Sequence, residues 1–171
     1  MNSRSLELPL FCAATILAGS LLGCSGDNGQ IDANASVRVE FPKAVASAVE
    51  FPILLTISLG PEGREENRGS QSAQRAVVLC QPLDPFVFRD SVRLMAANCH
   101  QEDFYARATL REIELEDAKA CDDADKYGIL ILGEAKYERG AIAAEASTFA
   151  FSEKDCGPQN ASFDLKLQNV E

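Results

Sequence analysis

The sequence predicts an all-β domain: an antiparallel β-sandwich, broadly immunoglobulin-like in architecture, after an N-terminal signal helix and a flexible tether. Three observations predict it. Short apolar segments recur between Gly and Pro residues that mark turns. Several of them alternate apolar and polar residues with the period of two of a half-buried strand. Beyond the N-terminal segment, no sustained stripe of helical period appears.

In chain order, Ser36 to Phe41 alternates, with Val37, Val39 and Phe41 on one face. Glu50 to Leu59 is nearly all apolar and stops at Gly60-Pro61, which suits a strand buried on both faces. Gly60 to Gln74 is polar and reads as a long exposed loop. Ala76 to Leu83 reads as a strand broken by Pro82 and Pro85, with Phe86 to Arg89 resuming it. Ser91 to Asn98 fits either a strand or a short helix. Phe104 to Leu110 alternates, placing Tyr105 and Arg107 on the face opposite Phe104 and Ala106. Ile113 and Leu115 continue with reversed parity, which predicts a bulge near Arg111 or Glu112. Gly128 to Leu132, Ile142 to Phe151 and Phe163 to Leu167 complete seven or eight strands. The buried Trp of an immunoglobulin domain has no counterpart, because the chain contains no Trp.

The N-terminal segment has the parts of an export signal. Arg4 and the amino terminus are positive, and Leu8 to Gly23 is an uncharged apolar run, short of the ~20 residues that span a bilayer. It ends in Leu21-Leu22-Gly23-Cys24, which resembles the lipobox of bacterial lipoproteins. The resemblance implies a diacylglyceryl thioether (and palmitate-type acylation) on Cys24 and cleavage after Gly23. It divides the chain into a signal peptide at 1–23, a lipidated N-terminus and flexible tether at 24–35, and a sandwich at 36–171. It also implies a membrane partner through the lipid and a cell-envelope location. Ser25, standing where an aspartate favours inner-membrane retention, points to the outer membrane. Two acyl chains give stable anchoring where one does not.

Of six cysteines, Cys12 leaves with the signal and Cys24 takes the lipid. Cys80, Cys99, Cys121 and Cys156 remain, an even number in an oxidising compartment, and read as two disulfides. Pairing of sequence neighbours, Cys80 with Cys99 and Cys121 with Cys156, is the expected one of three connectivities. Loops of roughly 20 and 35 residues would each contribute about 3 kcal/mol. A thiolate metal site with His100 is disfavoured, since no Cys-x-x-Cys spacing exists.

The composition excludes several functions. At −10 formal charge the chain is repelled by phosphate backbones and by anionic lipid surfaces, so nucleic acid is not an expected partner. His100 is the single histidine, sits in a polar turn and lacks a Gly-x-Ser-x-Gly elbow, so no nucleophilic triad is expected. Phosphate-binding and dinucleotide motifs are absent. The densest polar cluster is acidic: Glu112, Glu114, Glu116 and Asp117, then Asp122, Asp123 and Asp125 around Cys121. From Asp123 the spacing partly follows a Ca²⁺ loop, with Asp125, Gly128 and Glu134 in place and Tyr127 where an oxygen ligand belongs. A Ca²⁺-binding domain using Asp122, Asp123 and Asp125 in the 122–134 loop is therefore one alternative. An envelope hydrolase pairing Glu112 or Glu114 with another acid is a weaker one. The leading expectation is a lipid-anchored, non-enzymatic binding or structural module without a cofactor. It would contact an envelope protein or surface ligand through the Gly60–Gln74 loop and the Glu112–Asp125 segment.

Overall fold

Ile31, Ala33, Ala35, Val37 and Val39 alternate with polar or charged residues, and all five are buried. They make β1 (Gln30–Glu40), the first strand in a computed structural model that describes residues 29–61, 72–83, 87–98, 103–117, 119–122, 124, 128–131, 136–152 and 156–170. The signal segment, Cys24, Cys99, His100, Asp123 and Asp125 lie outside the described residues. β1 starts at Gln30, not at Ser36. The stretch expected as tether contains Gln30, Asp32 and Asn34, which face out, so only the small size of Ala33 and Ala35 hid its inward face. Residues 30–35 therefore belong to β1 and not to the tether.

After β1 comes a single helical turn, α1 (Lys43–Ala46), which buries Val45. Then follow β2 (Ile53–Pro61), β3 (Ala73–Leu79), β4 (Val87–Asn98), β5 (Phe104–Leu115), β6 (Ile129–Ile131), β7 (Tyr137–Phe151), β8 (Gly157–Lys166) and β9 (Gln168–Asn169). The strands form two sheets, a three-stranded one ordered β4-β1-β8 and a six-stranded one ordered β6-β3-β2-β5-β7-β9. Their inner faces meet in one apolar core. The fold is an all-β sandwich, as expected. Its strand order is not that of an immunoglobulin domain, where the first two strands are neighbours: here β1 and β2 lie in different sheets. Nor is every pairing antiparallel, because β1 runs parallel to β8 from Ile31↔Gly157 to Glu40↔Lys166.

Both sheets share their ends. Short connections join β4 to β5 and β7 to β8, so Asn98, Phe104, Phe151 and Gly157 gather at the end where β1 begins. Glu40, Leu79, Leu115 and Ile129 mark the opposite end. The Gly60–Gln74 region contributes to both flanking strands: Gly60 and Pro61 pair with Tyr105 and Phe104, and β3 begins at Ala73.

Two irregular alternations have local causes. Along β4, Val92 and Leu94 are buried, then Ala97. Between Ala33↔Leu94 and Ile31↔Ala97 the strand carries one residue more than β1, a bulge that resets its parity and explains its ambiguous sequence. β5 is the reverse case. It pairs with β2 without interruption from Pro61↔Phe104 to Ile53↔Glu112, so the predicted bulge in β5 is absent. The surplus residues sit on β7, where Leu110↔Ala144 is followed by Arg111↔Ile142 and Ile113↔Arg139. Ile113 and Leu115 are apolar because the outer face of the sheet is covered there. They pack around a second cluster of Leu54, Val78 and Leu130.

Leu55 is 1% exposed and central to the main core. Leu55→Ala should lower the unfolding free energy by about 2–5 kcal/mol in a denaturant titration, as a cavity opens between the two sheets.

Candidate functional site

Three surfaces stand out, one at each end of the sandwich and one on the smaller sheet. At the far end, the chain leaving β5 folds back over the larger sheet. The Glu116 amide donates to the Lys136 carbonyl (3.0 Å), tying the base of this segment to the start of β7. The Asp117 carboxylate accepts the Lys119 amide (2.9 Å), an Asx turn that starts two tight turns. These continue through Ala120 N–H to Asp117 O (3.0 Å) and Asp122 N–H to Lys119 O (2.9 Å). Ala120 thereby reaches the cluster of Leu54, Val78 and Leu130, and a disulfide joins Cys121 to Cys80 just beyond β3.

That bond corrects the expected pairing. Cys80 is linked to Cys121 rather than to Cys99, and Cys156 is disulfide-bonded elsewhere. Sequence proximity misled because β3 and β5 flank β2, so the turn after β5 passes the end of β3. The Cys80 amide donates to the Gly128 carbonyl (2.7 Å), which closes the same corner from the other side. Gly128 has φ +69°, and a Cβ there would collide with the Gln81 side chain, so glycine is required.

The acidic segment is therefore first a cover for apolar surface. Glu112, Glu114, Glu116, Asp117 and Asp122 all face solvent on or beside it. Among the described residues, no group of three or more His, Cys, Asp or Glu side chains is placed to hold a metal ion. Asp123 and Asp125, the other two proposed Ca²⁺ ligands, lie outside the described residues, as does His100.

The outer face of the smaller sheet is polar in aligned rows. Ser91, Ser36 and Ser162 form one row, and Arg89, Arg38 and Asp164 the next. Arg38 stands between Glu40 (3.4 Å) and Asp164 (3.6 Å). Such exposed pairs contribute roughly 0–1 kcal/mol, so they order the face more than they stabilise it. A shallow groove of about 510 Å³ runs along these rows. Beside it, the β3 and β4 edges of the two sheets part around a cleft of about 610 Å³, where Arg75 bridges to Asp90 (3.4 Å). Serine and arginine dominate the groove, the cleft mixes them with Ala73, Val92, Leu94 and Met95, and neither brings Glu112 or Glu114 to a second acid.

At the near end, the outer face of the larger sheet carries an aromatic platform. Tyr105 and Phe149 are register partners whose rings meet edge to face, 6.0 Å apart. The Arg107 guanidinium lies 5.6 Å from the Tyr105 ring centre, a cation–π distance. Gly60, the partner of Tyr105 on β2, leaves the other side of the ring without a bulky neighbour in the ladder. In the sequence Tyr105 and Arg107 are visible as residues sharing a face. Phe149 is hidden, because its neighbours Ala150 and Phe151 make the end of β7 look buried throughout.

No family model, curated protein or solved structure matches this chain.

The Cys80–Cys121 bond closes a separation of 41 residues. Replacing both cysteines by serine should cost about 4 kcal/mol by the chain-entropy relation. Hydrogen exchange should then show early opening at Leu54 and Val78, whose cover the bond retains, while Leu55 and Leu110 stay protected.

Proposed function

We propose that this chain is a lipid-anchored module of the bacterial cell envelope, held through Cys24, whose task is binding or scaffolding rather than catalysis. The observation that carries the reading is the Cys80–Cys121 disulfide, joined by a second bond at Cys156. Disulfides persist in oxidising compartments, which agrees with an exported chain whose leader ends in Leu21-Leu22-Gly23-Cys24. Gln30 follows Cys24 by six positions, and six residues reach at most ~20 Å, so an acylated Cys24 would hold one end of the sandwich close to the membrane. β1 has 11 residues, about 35 Å at the rise of a strand, which leaves the disulfide-pinned end outside that reach. Of the two contact regions expected from sequence, Glu112–Asp125 would then face away from the membrane. It is the contact region we propose for a partner, an envelope protein or surface ligand. No cofactor enters this reading, and the outer membrane is the proposed location.

Mass spectrometry of the membrane-extracted protein should find Cys24 at the N-terminus with a diacylglyceryl adduct. Cys24→Ser should move the protein to the soluble fraction. A chain still beginning at Met1, with reduced cysteines and a cytoplasmic location, defeats the reading.

A further inference from the structure

Three large apolar side chains are prominently exposed among the described residues: Met95 (59%), Phe149 (52%) and Val170 (46%). Two of them, Met95 and Phe149, lie toward the end at which β1 begins. Met95 falls between the pairs Ala33↔Leu94 and Ile31↔Ala97, and Phe149 precedes the terminal pair Phe104↔Phe151. Phe149 does not stand alone, since it shares its surface with Tyr105 and Arg107. Phe149 is exposed and Tyr105 half-buried, and the apolar area they leave in water after meeting each other would gain from a second phase.

We infer that this end of the sandwich is a membrane-contact surface, with Phe149 and Tyr105 entering the headgroup layer and Arg107 reaching lipid phosphate. The inference rests on the anchored reading and deepens it by naming the surface that meets the bilayer. The chemistry fits that occupant. Tyr105, a ring with one polar edge, is of the kind that concentrates at the membrane interface, Phe149 adds apolar area beside it, and an arginine there keeps its charge in the wet layer while its stem lies on apolar surface. The geometry fits as well. A link of at most ~20 Å from Cys24 to Gln30 keeps the platform near the surface whenever the lipid is inserted. The formal charge of −10 opposes long-range attraction to anionic lipid, so the contact forms only after anchoring and does not recruit the protein by itself.

The chain contains no Trp, so one introduced Trp is a unique reporter. The full, processed protein carrying Phe149→Trp is reconstituted into phosphatidylethanolamine–phosphatidylglycerol vesicles with brominated acyl chains. Lys119→Trp marks the far end, and Met95→Trp is a second probe of the near end. Far-ultraviolet circular dichroism checks each fold, and mass spectrometry checks the Cys24 adduct. Phe149→Trp should show blue-shifted emission and about twofold stronger quenching than Lys119→Trp, a difference reduced by Arg107→Glu. Should Phe149→Trp not fold, Met95→Trp carries the same comparison. If the adduct is present and near-end and far-end probes are quenched alike, the membrane-contact surface is refuted while the anchor stands. If the adduct is missing, both fall. A near-end probe that ignores lipid but shifts with peptidoglycan fragments also overturns the inference, in favour of a glycan platform.

Discussion

The structure depends on β1. It lies between β4 and β8, and its hydrogen bonds are what join them into a sheet. Its inward residues form the middle of one wall of the core, all five within 3% of full burial. One strand thus supplies the ladder for two neighbours and the apolar face against which β2 and β5 pack. A shift of β1 by one residue would turn Ile31, Val37 and Val39 toward solvent and empty that wall of the core.

A second constraint acts at the far end. β2 is apolar on both faces there, so the larger sheet must be covered on its outside as well as its inside. The segment after β5 provides that cover, and the Cys80–Cys121 bond holds it in place. Glu116, Asp117 and Asp122 are exposed, while Ala120 and the cysteine take the inward positions. An acidic surface and an apolar underside are two aspects of one short stretch. A ligand cluster is not needed to explain its composition, which serves solubility in a chain with 26 acidic residues.

Much of this architecture was legible in the sequence. Strict alternation revealed β1 from Val37 onward, β5 and the end of β8, and the nearly all-apolar stretch from Glu50 to Leu59 announced a strand covered on both sides. What escaped had physical causes. Ala33 and Ala35 are too small to signal an inward face. The bulge in β4 offsets Ala97 from Leu94. In β5, cover on the outer face mimics a change of parity. Parallel pairing of β1 with β8 and the Cys80–Cys121 link both join segments distant in sequence, which periodicity does not report. The candidate surfaces followed the same division. Acidic residues were visible as a run, whereas the aromatic platform combines Tyr105 with a residue from another strand, and only the register of β5 against β7 unites them.

The parallel pairing of Ile31 with Gly157 also governs when the domain can assemble. A strand made at the start of the chain waits for one made near its end, so the smaller wall stays incomplete until residues 157–166 are present. Topologies that join such distant partners fold slowly, because loop closure precedes any gain from contact. Under the exported reading proposed above, this delay would let an open chain cross the membrane, with the barrier to closing met on the other side.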